Sequence, residues 1–277
     1  MTFSIFSKNF SKKIALLALV PAWAFANEGA ILDTAPIDVH NQVSLQRGAQ
    51  TFANYCLSCH SVSAARFSGL TEIGLSEAQI KQHLMLAGEK VNDPMRVAMP
   101  PKDAKAWFGA TPPDLSVVAR ARGADWLYTY LRTFYRDDTR PTGWNNLAFP
   151  KVGMPHALWQ LQGDQVLTEK TFEEETEAYK ALLELPLSAG KKHIEAEKEN
   201  GKVVYKVKWL AQGETKGALS AADFDTKAAD LTNFLVWMSE PHQVEREQLG
   251  YIVMFFILLI LLPVVYFTKR EIWKDIH

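Results

Sequence analysis

The chain has 277 residues, 30 of them Lys or Arg and 31 Asp or Glu, for a formal net charge of −1. The charge is uneven: the first 26 residues carry +3, those after Phe267 carry +1, and residues 27–267 are left with −5. A mildly acidic central region long enough for one core excludes a nucleic-acid binder and suits a basic partner.

The chain opens with Lys8, Lys12 and Lys13, then an apolar run from Ile14 to Val20, then Ala24-Phe25-Ala26. Basic start, short apolar stretch and small-x-small site make residues 1–26 a signal peptide, so the mature chain is exported. Residues 27–40 are expected to be extended. A helix is expected from about Leu45 with Ser44 as N-cap, placing Gly48 and Phe52 one turn apart. Residues 76–87 read as a helix capped by Ser76, with Ile80, Leu84 and Ala87 on its apolar side. A proline-rich stretch covers 93–113, and a helical run interrupted near Gly123 covers 116–134.

Residues 169–184 read as an exposed acidic helix, with Glu169, Glu173, Glu174, Glu175 and Glu177 forming a solvated face. Alternation on both sides of Asn200-Gly201 predicts a β-hairpin. Its charged composition makes 163–215 a surface excursion from the domain. Phe224, Ala228, Leu231, Leu235 and Met238 form one stripe of a helix ending before Pro241, expected to pack on the first helix. Residues 249–267 contain no charge. As a helix they span roughly 28 Å, which matches a hydrocarbon core of ~30 Å. Lys269, Arg270 and Lys274 follow, so the positive-inside rule places residues 268–277 in the cytoplasm and residues 27–248 in the periplasm.

Both cysteines of the chain, Cys56 and Cys59, lie in one run that ends in His60. Cys-x-x-Cys-His is the attachment pattern of a c-type haem: two thiols reach the two vinyl groups and the histidine ligates iron. A redox thiol pair calls for a βαβ context, which this stretch lacks, and zinc calls for a second ligand pair that the chain does not supply. A plain disulfide gives no role to His60.

The iron's second ligand decides the function, because histidine–methionine ligation raises the potential and suits electron transfer. His40, His83, His156, His193, His242 and His277 each read as surface residues. Met85, Met238 and Met254 fall on apolar helical positions, and Met95 sits in a loop without supporting context. Met99 (in AMPP) and Met154 (in VGMP) each precede proline in a loop, and spacing leaves both open.

Four stretches, CLSCHS at 56–61, PPDLSVVARARG at 112–123, FPKVGMPHAL at 149–158 and LTNFLVWMSEP at 231–241, stand in this order before a terminal apolar segment. Together they resemble the cytochrome c1 family, from about residue 28 to the end. The resemblance implies a mainly α, cytochrome c-like haem domain with a small hairpin excursion and one C-terminal transmembrane helix. It implies one covalently attached haem c, with Met154 opposite His60, Arg122 meeting a haem propionate, and Pro113, Trp126 and Phe149 in the pocket. Trp126 stands where the family often has tyrosine. It further implies a subunit of ubiquinol–cytochrome c reductase in the cell inner membrane, in a dimeric complex. There it would relay electrons from a Rieske iron–sulfur protein to a soluble cytochrome c, beside a cytochrome b subunit that carries the quinol chemistry.

Overall fold

Asn41 begins the first helix, because its side chain accepts from the Ser44 backbone N–H. The cap is therefore Asn41, three residues before the expected Ser44, whose hydroxyl donates instead to Asp230. The computed structural model describes residues 32–85, 90–97, 99–185, 192–272 and 274. The signal at 1–26, Ala87 and His277 lie outside these residues.

In chain order the elements are α1 (Gln42–Tyr55), β1 (Val62–Arg66), a 3₁₀ turn (Phe67–Ile73), α2 (Glu77–His83), β2 (Pro94–Met95), α3 (Pro101–Phe108), α4 (Val118–Arg122) and α5 (Ala124–Arg132). Then come β3 (Phe134–Arg136), β4 (Trp144–Asn146), α6 (Trp159–Gln162), β5 (Gly163–Phe172), α7 (Glu175–Glu184), β6 (Lys192–Glu199), β7 (Lys202–Lys216) and α8 (Ala221–Ser239). The last stretch is α9 (Gln243–Phe256), a π turn (Ile257–Leu261) and α10 (Leu262–Ile272).

The core is organised around α1 against α8. Gly48 lets the two backbones meet: a Cβ there would stand 2.2 Å from the Asp230 carbonyl oxygen and 2.6 Å from Phe234 Cβ. One turn on, Phe52 and Phe234 pack at 5.7 Å between ring centroids. Buried Asp230 closes the pair polarly, accepting from Ser44 Oγ at 2.6 Å and from Arg47 Nε at 2.6 Å. The stripe expected on α8 is entirely buried. Nearby, buried Arg132 holds α5 to α8 through Asp225 and to the segment before α1 through Asp33 at 3.1 Å.

Several local expectations shift. Ser76 caps α2 in a reciprocal box with Gln79, yet the helix ends at His83, with Leu84 as its C-cap. The proline-rich stretch contains α3, which Pro101 starts at a position where its missing N–H costs nothing. Met95 is buried in β2, paired with Val62 of β1. The helix expected over 169–184 starts only at Glu175, because residues 163–172 form β5.

The hairpin turns at Asn200 and Gly201, with φ of 51° and 79°, as a tight Asn-Gly turn requires. It is part of a three-stranded antiparallel sheet ordered β5-β7-β6, and α7 buries Ala178 against it. Lys206 bridges Glu197 at 2.6 Å and Glu199 at 2.9 Å, with Glu169 of β5 at 3.8 Å. Glu169 thus belongs to a cross-strand charge ladder and not to a helix face.

From Gln243 to Ile272 the chain is one continuous exposed helix, long and apolar enough to cross a membrane. Pro263 lacks the N–H that would reach the Leu259 carbonyl, and the helix widens into its π turn at this point.

Gly48→Ala is expected to force α1 off α8 and cost about 1–3 kcal/mol, the usual range for overpacking. Gly69→Ala, where an added Cβ meets nothing within 4 Å, is the control. Thermal unfolding of the two variants checks this, and an unchanged midpoint for Gly48→Ala contradicts it.

Candidate haem site

The Cys-Leu-Ser-Cys-His segment coils off the end of α1. Cys56 is the helix C-cap, and its carbonyl accepts from Cys59 N at 3.0 Å and His60 N at 2.8 Å. Leu57 is buried and fixes the coil to the core. Both thiols are free. Burial, followed by the nearby Cys59, pushes the Cys56 thiol up to about 12, so it stays protonated.

His60 is buried, and its Nδ1 lies 2.8 Å from the Pro113 carbonyl oxygen. A carbonyl only accepts, so Nδ1 carries the proton and the Nε2 lone pair is the one left for a metal. Burial pulls the imidazole below its ordinary pKa, against the opposing pull of Pro113 and Asp114. That keeps it neutral, as ligation needs.

The two segments are sewn together beyond this bond. Leu115 N donates to Ser61 O at 2.8 Å, Ser63 N to Asp114 Oδ2 at 3.0 Å and Ala64 N to Ser116 Oγ at 3.1 Å. Burial raises the Asp114 carboxyl, but hydrogen bonds from Ser116 and Ser63 outweigh it and hold the group at about 2.

Pro113 leads through α4 to Arg122, and Gly123, with φ of 88°, breaks the chain into α5. The two arginines of the ARAR run differ. Arg120 pairs with Glu240 at 3.1 Å. Arg122 pairs with no carboxylate among the described residues and lies over two rings, 5.0 Å from Trp126 and 5.8 Å from Phe149. Trp126 stacks on Tyr130 at 4.8 Å, and the Tyr130 hydroxyl donates to Met154 Sδ at 3.3 Å. Arg122, Trp126, Phe149, Tyr130 and Met154 thus form one unbroken set of contacts. The motif reading brings four of the five together.

Tyr130 was missed, though the spacing of four from Trp126 puts both on one face of α5. So were the residues that hold the Met154 loop. Buried Asn146 accepts through Oδ1 from Ala148 N at 2.9 Å and Phe149 N at 3.0 Å, and its Nδ2 donates to the Tyr130 carbonyl at 2.8 Å. Asn145 Oδ1 accepts from Lys151 N at 2.8 Å, and Arg140 Nη2 donates to Lys151 O at 2.8 Å. Lys151 needs this support, since its φ of 63° is unfavourable for a residue with a Cβ.

Met154 packs half-buried on the small cluster of Phe134, Trp144 and Val152, separate from the main core. Met99 is also half-buried, in the loop whose Val97 N reaches Ser61 Oγ at 3.0 Å.

Two of the histidines expected at the surface are buried. His156 stacks on Phe134 at 4.8 Å, and burial draws its pKa down to about 4 against Gln162 and Asp164. His193 is enclosed by the sheet beside Glu195 at 3.2 Å. His40, His83 and His242 are exposed as expected.

The donor set fits a c-type haem: two unpaired thiols, a neutral imidazole with its far nitrogen already engaged, and an uncharged sulfur on a laced loop. Comparison with known proteins agrees. The sequence model of the cytochrome C1 family matches residues 33–180 and 214–276. Its gap at 181–213 falls on the end of α7, on β6 and on most of β7. A protein of Nitrosomonas europaea named ammonia monooxygenase gamma subunit is 42% identical, across 96% of this chain and 98% of the relative. Cytochrome c1 of Allochromatium vinosum is 41% identical, across 94% of this chain and 96% of the relative. Cytochrome b/c1 of Bradyrhizobium diazoefficiens is 29% identical, across 92% of this chain and 35% of the relative.

The chain belongs to the cytochrome c1 family. It is accordingly a haem electron carrier of the cytochrome bc1 complex, held to the membrane by its C-terminal helix.

Asn146→Ala leaves the Ala148 and Phe149 amides without their acceptor and is expected to cost about 1–3 kcal/mol locally. Limited proteolysis of the haem-loaded protein should then cut near residues 147–153 faster than in the parent. Equal cutting rates contradict the lacing role.

Proposed function

We propose that Cys56 and Cys59 bind one haem c covalently, that His60 and Met154 ligate its iron, and that Pro113, Arg122, Trp126 and Phe149 complete the pocket. The observation that carries this reading is the run of contacts from Arg122 through Trp126 and Tyr130 to Met154, with Arg122 paired to no carboxylate among the described residues. A guanidinium so placed is available to a propionate in fork geometry. The Pro113 carbonyl fixes the His60 tautomer and ring plane. A protonated Cys56 thiol would add its S–H across a vinyl group, the sulfur bonding to one carbon and the proton going to the other, with no charge left to bury. The bound haem supplies a reversible one-electron couple whose potential the thioether sulfur of Met154 keeps high.

The rest of the reading concerns the assembly. The chain itself holds no quinol chemistry and relays electrons as a subunit of ubiquinol–cytochrome c reductase. It takes them from a Rieske iron–sulfur protein and passes them to a soluble cytochrome c, in a dimeric complex with cytochrome b. The matching relative named cytochrome b/c1, of which this chain covers 35%, supports cytochrome b as the neighbour. Residues 1–26 are a signal peptide, 27–248 a periplasmic haem domain with its excursion at 163–215, 249–267 the anchor and 268–277 a cytoplasmic tail. The basic residues after the apolar segment support that orientation.

Met154→Leu is expected to lower the reduction potential, abolish the sulfur-to-iron charge-transfer band and open the iron to carbon monoxide. Met99→Leu should leave all three unchanged, since the exchange nearly conserves volume. Loss of the band in Met99→Leu but not in Met154→Leu reverses the assignment.

Protease added to intact spheroplasts should digest the haem domain and spare a tag fused after His277. A protected haem domain contradicts the orientation.

A further inference from the structure

Met154 Sδ has a second interaction that the family motifs do not specify. The Tyr130 hydroxyl donates to it at 3.3 Å and has no other partner among the described residues. The residue is held at three points. Trp126 stacks on it at 4.8 Å and 11°, Phe134 meets it edge-on at 5.0 Å, and Asn146 Nδ2 fixes its backbone carbonyl at 2.8 Å. A phenol carries an O–H donor, and thioether sulfur accepts only. A thioether sulfur has two lone pairs, and accepting from Tyr130 still leaves one for a metal.

We infer that Tyr130 is a positioning residue that tunes the reduction potential through its hydrogen bond to the Met154 sulfur. The inference rests on Met154 being the iron ligand. A hydrogen bond to sulfur withdraws electron density from the lone pair that iron shares. Ferric iron, with one more positive charge, depends on that donation more than ferrous iron does. The bond therefore disfavours the ferric state and raises the potential. It also restricts rotation about the Sδ bonds, so the same lone pair is presented each time.

The test uses Tyr130→Phe in the full-length, haem-loaded protein. Phenylalanine keeps the ring contacts with Trp126 and Phe134 and removes only the donor. Potentiometric titration should give a lower midpoint, and the sulfur-to-iron band should persist at a displaced wavelength without carbon monoxide binding. In a Met154→Leu background the same substitution should produce no further fall in midpoint. Unchanged midpoint and band in Tyr130→Phe would overturn the inference, as would an equal fall in both backgrounds, which would mean the hydroxyl acts on the haem by another route. Met154→Leu alone separates the two readings. If it keeps the band, the ligand assignment has failed. If it loses the band while Tyr130→Phe changes nothing, only the role of Tyr130 has.

Discussion

The hydrogen bond from His60 Nδ1 to the Pro113 carbonyl joins two segments 53 residues apart in the chain, and the arrangement around the proposed haem follows from it. It locks one tautomer and one ring plane, so the imidazole is poised before any metal arrives. It also fixes where α4 and α5 leave the His60 segment, and these helices carry Arg122, Trp126 and Tyr130. The bond can hold only because both of its ends are tied elsewhere. The His60 side hangs from α1, which Gly48 lets sink against α8. The Pro113 side is stitched to residues 61–64 by backbone and carboxylate hydrogen bonds.

The opposite wall is built differently. Met154 sits on a loop outside the main core, on a cluster that among the described residues has three buried hydrophobic members, so packing alone gives little to hold it. Side-chain hydrogen bonds substitute: Asn145, Asn146 and Arg140 occupy the loop's backbone groups and sustain the positive φ at Lys151. Asn145 and Asn146 are buried, so their bonds are costly to leave unmade, which stiffens the loop. If Met154 is the ligand as proposed, an electron carrier benefits from that rigidity, because a ligand that keeps its place in both oxidation states adds little reorganisation to the transfer. Helix α5 serves both walls, since Trp126 packs on the main core and Tyr130 on the small cluster.

Much of this was legible in the sequence, for identifiable reasons. Cys56, Cys59 and His60 are adjacent, so their chemistry is local and readable without a fold. The α8 stripe and the Asn200-Gly201 turn follow from periodicity and from backbone conformations few residue pairs adopt. The choice between Met99 and Met154 is not readable from spacing, because both are short loops before proline; the proposal of Met154 rests on the family resemblance. Tyr130 and Asn146 were missed because their roles depend on which strand and loop they face. Residues 169–172, the end of β5, read as the start of a helix because the strand pairing that puts Glu169 opposite Lys208 is not visible in a single segment. His156 and His193 looked like surface residues because a lone polar side chain says nothing of the aromatic rings and strands that enclose it.

The central claim is that iron in this protein is held between one imidazole and one thioether. X-ray absorption at the iron edge of the oxidised, haem-loaded protein measures that ligand set directly. The account predicts four porphyrin nitrogens, one further nitrogen and one sulfur in the first coordination shell. Six nitrogens, or five with an exchangeable oxygen, would contradict it.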